Sequence, residues 1–167
     1  MRLSEIRIKN YRLLIDAKLD VDAKTTLIVG RNNTAKTSCS SCINTVLQGS
    51  DFSYNDYPLS KREDLHNLFL QFMEKKLSYE NLCKKIETIS IEFLVDYSLD
   101  DPEAKLGALS PFIIDVDVDT ATALICVEYQ LKADENKLWE LFKDSCYSEG
   151  QFNPNAEEMH DVLIRNF

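Results

Sequence analysis

One short segment constrains this chain more than any other. Gly30-Arg31-Asn32-Asn33-Thr34-Ala35-Lys36-Thr37 sets a glycine, four residues, a small residue, a lysine and a threonine in a row. The β-branched, apolar run Thr25–Val29 precedes it. After it, Cys39, Ile43, Val46 and Leu47 recur at helical spacing, and Gly49 closes the segment as a helix C-cap. A strand that turns sharply on a glycine and re-enters as a helix aims several backbone N–H groups, and the positive end of the helix, at one point. That point suits an anion, above all a phosphate.

Each residue then has an expected role. Gly30 lets the chain leave the strand. The N–H groups of Asn32, Asn33, Thr34, Ala35, Lys36, Thr37 and Ser38 form the cradle. Lys36 reaches the β- and γ-phosphates, and the Thr37 hydroxyl ligates Mg²⁺ carried by ATP. Ala35 departs from the pattern, which has glycine there. If the loop needs a positive φ at this position, alanine costs roughly 1 kcal/mol. With helical dihedrals the cost becomes steric clearance near the phosphates instead.

Around this motif the sequence predicts an α/β fold. Ser4–Leu14 and Ala17–Val21 alternate as strands, Asp22–Lys24 turns, and Thr25–Val29 is expected as a buried strand. Asp51–Pro58 is a loop. Ser60–Phe72 carries Leu65, Leu68, Phe69 and Phe72 on one helical face, and Ser78 caps a further helix through Leu82, Cys83 and Ile86. Ile89, Ile91, Phe93, Val95 and Tyr97 alternate strictly within a strand over 88–99. Ala121–Lys132 is a second strand able to pair with it antiparallel, and Glu135–Phe142 is a helix. These elements divide into one lobe over 1–145 and a tail over 146–167, partly disordered and polar from Ser148 until Met159–Ile164.

Bulk properties narrow the class. The 167 residues suffice for one sizeable core, and 44% hydrophobic with 28% charged is the balance of a globular protein. No apolar run approaches the length of a bilayer span, and the N-terminus lacks a signal-peptide core, so a cytoplasmic protein is expected. A net charge of −9 argues against non-specific nucleic-acid binding over the whole surface. Five cysteines without regular spacing point to reduced thiols.

Other features compete for a role. Phe112–Asp119 sets Asp115, Asp117 and Asp119 on one face of an apolar strand, which suits either a metal-binding run or a solvated edge strand. Cys39-Ser40-Ser41-Cys42 puts two thiols on one helical face, readable as a redox pair or as small core residues. His66 and His160 read as isolated surface residues. Lys61-Arg62 and Lys75-Lys76 are readable as phosphate contacts or as solvated charge. Trp139 reads as a packing residue.

Two stretches carry a resemblance. Ser4-Glu5-Ile6-Arg7-Ile8-Lys9-Asn10-Tyr11-Arg12 resembles the opening strand of ABC-type ATPase heads of the RecF/SMC group. Thr26–Ser38, with its Gly-Arg-Asn-Asn-Thr wording, is similar to the P-loop of OLD-family ATP-dependent endonucleases and their anti-phage relatives. The resemblance covers about the first fifty residues. It implies the N-terminal lobe of an ABC-type P-loop NTPase head, with a mixed sheet around the P-loop helix and an antiparallel β-layer beside it. It further implies ATP and Mg²⁺ as cofactors, Arg12 close to the nucleotide, homodimers or larger homo-oligomers through the heads, and DNA handled by a fuller assembly. A separate partner protein is a further expectation.

No Ser-Gly-Gly signature, Walker B run ending in Asp-Glu, switch histidine or Toprim carboxylate set is recognisable. The expected function is therefore an ATP-binding lobe of a DNA-processing protein, a fragment or one piece of a split protein, incomplete for hydrolysis alone. Two alternatives stay open. One is a degenerate P-loop module that dimerises or docks a partner without turnover. The other is a small phosphotransferase, weakened by the lack of an Arg-rich lid.

Overall fold

The computed structural model describes residues 1–32, 34–97, 111 and 121–166. The Phe112–Asp119 run and Asn33 lie outside them. Four strands form the main sheet: β1 (Arg2–Tyr11), β2 (Leu14–Asp20), β3 (Ile89–Asp96) and β4 (Thr122–Tyr129). Their order is β2-β1-β3-β4, and every pairing is antiparallel.

The alternation that predicts these strands also sorts their faces. Ile8 pairs with Ile91, and Ile91 with Val127, so one apolar row crosses three strands. Ile6, Ile8, Ile89 and Ile91 are buried on that face. The opposite face is a ladder of charge. Glu5 accepts from Arg7 and Lys18, each at 2.5 Å, and Lys9 lies 3.3 Å from Glu92.

Helices cover the apolar face. They are α1 (Lys36–Leu47), α2 (Leu59–Met73), α3 (Tyr79–Lys85), α4 (Glu135–Cys146) and α5 (Ala156–Asn166). A 3₁₀ turn, Tyr54–Asp56, precedes α2, within the stretch expected as a loop. Phe69 of α2 stacks on Phe142 of α4 with ring centroids 5.2 Å apart. Trp139 packs between Phe72 and Tyr147, the structural role expected of it. Ser78 caps α3 by accepting from the Asn81 amide at 3.4 Å.

Three expectations are corrected here. Thr25–Val29 forms no strand. Leu27 is 80% exposed and Val29 77% exposed, so the apolar run before the P-loop is surface backbone. A β-branched run needs a neighbouring strand to become a strand itself, and no described strand lies alongside it. Consequently the sheet is antiparallel throughout its described strands, not mixed around the P-loop helix.

The third correction concerns residues beyond 145. The short strands β5 (Tyr147–Ser148) and β6 (Gln151–Phe152) form a hairpin, and α5 follows. Met159 and Leu163, one helical turn apart, have no exposed surface and pack into the main core. The polar residues that make the segment look like a tail occupy the other side of α5.

Candidate nucleotide-binding site

Helix α1 is placed by its contacts with β1. Cys42 is fully buried, and the Tyr11 hydroxyl lies 3.0 Å from Ser41 Oγ. Tyr11 itself is buried and set edge-on to Phe52, with centroids 5.4 Å apart. Positive φ at Asn10 (56°) and Arg12 (50°) turns the chain on both sides of Tyr11. At its far end α1 stops in a Schellman motif. Gly49, at φ +65°, donates to Val46, and Ser50 donates to Thr45, both at 3.0 Å. Gly49 thus sits one residue past the cap, Gln48.

The N-terminus of α1 is left open for an anion. Its cap is Ala35, which has no side chain to accept from the first-turn amides, and no acidic residue sits in that turn. A cavity of about 360 Å³ lies there, lined by Leu13, Asn32, Thr34, Ala35, Lys36, Thr37 and Ser38. Six of those seven are residues that the motif assigns to the phosphate cradle.

Two features of the loop depend on backbone shape. Ala35 lies at φ +63°, ψ +9°, the left-handed region in which the pattern's glycine is at ease. The first of the two costs considered for alanine therefore applies. Gly30 is needed for clearance: a Cβ there would stand 2.6 Å from Thr34 Oγ1. That hydroxyl donates to the Arg31 carbonyl at 2.7 Å and staples the loop.

Lys36 folds back over the same loop. Its Nζ donates to the Arg31 carbonyl at 2.5 Å and also to the Gly30 carbonyl. A phosphate entering the cradle would replace these carbonyls as the acceptor. The donor set suits a polyphosphate: open amides, a lysine, and Thr37 on the cavity wall, whose hydroxyl would be an oxygen ligand for Mg²⁺.

Arg12, which the resemblance sets close to the nucleotide, stands next to this cavity. It does not line the P-loop cavity; its neighbour Leu13 does. Arg12 lines an adjoining cleft of about 540 Å³ that shares Leu13 and includes Ile15, Tyr57, Pro58 and Leu59. There its guanidinium pairs with Asp56 at 2.9 Å and lies 5.1 Å from the centre of the Tyr11 ring.

The family decides what such a loop belongs to. The family described as AAA ATPase domain matches this chain over residues 1–162. The chain belongs to that family. No curated protein and no solved structure shows a match to it. Membership makes it an ATPase-family domain that binds nucleotide, with ATP and usually Mg²⁺ as the implied cofactors. No helix among the described residues is long and apolar enough to cross a membrane.

The competing features within the described residues have partners or packing of their own. Burial pushes the Cys39 thiol up, and burial with the nearby Cys39 pushes Cys42 up to about 12. Cys42 is fully buried in the core and Cys39 packs against it, so both thiols serve as small packing residues. Lys61 pairs with Glu87, and Arg62 donates to the carbonyls of Asn55 (2.6 Å) and Tyr57 (3.1 Å). Lys75 lies over Trp139 at 5.5 Å, and Lys76 pairs with Glu74 at 2.5 Å.

The two histidines are not isolated. His66 and His160 share a cleft of about 670 Å³ between α2 and α5, with Glu63, Glu157 and Asp161. Sequence reasoning misses this because nothing local links residues on helices so far apart in the chain. No three His, Cys, Asp or Glu side chains among the described residues are grouped to hold a metal ion.

Proposed function

We propose that this chain is the ATP-binding lobe of an ATP-dependent DNA-processing protein of the OLD nuclease type, of the kind used in anti-phage defence. The observation that carries the nucleotide part is the P-loop cavity. An uncapped helix N-terminus, Lys36 and Thr37 meet there, in a chain of the AAA ATPase domain family. The Gly-Arg-Asn-Asn-Thr wording of Gly30–Thr34 supports the OLD-like part.

In this reading Lys36 exchanges its loop carbonyls for the β- and γ-phosphates, and the α1 amides take the remaining oxygens. Thr37 would hold Mg²⁺, which supplies charge neutralisation between phosphate oxygens. Arg12 stands beside the nucleotide from the adjoining cleft. Turnover needs a water-activating carboxylate, and the chain carries no recognisable Walker B or signature run to supply one. Hydrolysis, oligomerisation through ATPase heads and DNA handling then belong to a fuller assembly.

Phosphate release tests this. The chain alone should bind MgATP and release phosphate no faster than buffer. Steady turnover that survives Lys36→Ala would refute an ATP-binding lobe incomplete for hydrolysis.

A second reading is favoured by the exposed apolar run Leu27–Val29 beside the loop. There the strained P-loop is degenerate and the lobe serves in dimerisation or docking without turnover. Concentration-dependent self-association indifferent to ATP would select it.

A further inference from the structure

The P-loop cavity and the neighbouring cleft meet at Leu13, which lines both. The first is lined by the phosphate cradle. The second has an apolar part formed by Leu13, Ile15, Tyr57, Pro58 and Leu59, with Leu13 63% and Leu59 76% exposed, and its polar lining includes Arg12 and Arg62. A nucleotide has the same division, a polyanion joined to a flat, largely apolar nucleoside.

Arg12 is held in that lining by Asp56 through three contacts. Its backbone N–H donates to the Asp56 carbonyl at 2.7 Å, and Nε and one Nη each reach Asp56 Oδ1 at 2.9 Å. The other carboxylate oxygen has a separate task. Asp56 Oδ2 accepts from the Ser53 amide at 3.0 Å and the Ser53 hydroxyl at 3.1 Å, which closes the 3₁₀ turn. One carboxylate thus fixes the turn with one oxygen and aims an arginine with the other. Arg12 has a positive φ, a conformation that a non-glycine residue keeps only where contacts enforce it.

We infer that Asp56 is a positioning residue for nucleotide binding, fixing Arg12 so that its remaining N–H edge meets the nucleoside half of the ligand in the cleft beyond Leu13. The inference rests on the P-loop being a nucleotide site. A free arginine would lose side-chain entropy on binding, and the Asp56 pairing removes most of that loss beforehand.

The experiment compares MgATP with inorganic tripolyphosphate, which has the phosphates and no nucleoside. Calorimetry on the whole chain gives the ratio of the two affinities. Arg12→Ala and Asp56→Ala should each weaken ATP about tenfold and leave tripolyphosphate unchanged, the loss of one charge-assisted contact. The double variant should be no worse than Arg12→Ala alone.

Ser53→Ala loosens the turn at Oδ2 without touching the arginine, and should leave the ratio as it is. Should Asp56→Ala not fold, Asp56→Asn keeps the size and an oxygen acceptor and should give a smaller loss, again for ATP only. A ratio indifferent to Arg12→Ala and Asp56→Ala overturns the inference while the P-loop reading stands. The same holds if Ser53→Ala reproduces the Asp56→Ala effect. Failure of the unmodified protein to bind either ligand would overturn both.

Discussion

The ammonium of Lys36 lies 2.5 Å from the carbonyl oxygen of Arg31, inside the loop that Lys36 itself helps to form. The lysine and the strained alanine before it are therefore one unit. Ala35 in the left-handed region swings the chain so that α1 begins with Lys36, and Lys36 closes back over the turn.

Ala35→Gly relieves that geometry. Glycine reaches φ +63° without a Cβ penalty and loses some of the gain to its freer unfolded chain. The net expectation is a stabilisation below about 1 kcal/mol, read from urea unfolding. ATP affinity should rise or hold. A destabilised variant would mean that the loop does not adopt this conformation in solution.

Gly30→Ala has the opposite sign. The new Cβ would collide with Thr34 Oγ1 and break its bond to Arg31. A stability loss of about 1–3 kcal/mol is expected, as for overpacking. Adding Thr34→Ala removes the colliding hydroxyl, and the pair should lose less than the two single changes summed.

Leu163→Ala tests whether the last helix belongs to the core. The side chain is fully buried, so truncation should cost about 2–5 kcal/mol. A change below half a kcal/mol would show α5 to be detached.

His66 gives stability a pH dependence. Burial, and secondarily the facing His160, lower its pKa below the usual value near 6.5. The unfolded chain then takes up the proton first as pH falls. The contribution of His66 is present above about pH 6.5 and shrinks as pH drops toward the lowered folded value. Between pH 7.5 and 5.5 the melting temperature of the native chain should fall further than that of His66→Gln. Parallel curves would contradict the burial of this imidazole.

How much of this is legible in the sequence follows from the range of the interactions. Ile6 and Ile8 in β1, and Ile89, Ile91, Phe93 and Val95 in β3, announce their strands by alternation. The Ser78 cap and Gly49 are equally local. The P-loop residues are readable because their spacing encodes a turn.

Thr25–Val29 is misread because a strand is a property of two segments, and composition describes only one. The tail is misread because Met159 and Leu163 are few among polar neighbours, and their burial depends on α4 and the Tyr54 turn. The Arg12–Asp56 pair and the His66–His160 cleft join residues far apart in sequence, so no motif contains them.

The central claim is that Lys36 and the open end of α1 bind the phosphates of ATP. Calorimetric titration of MgATP into the chain and into Lys36→Ala tests it most directly. Saturable binding at one site per chain, weakened at least about tenfold by the substitution, is the predicted result. No binding by the unmodified chain, or equal binding by both proteins, would contradict it.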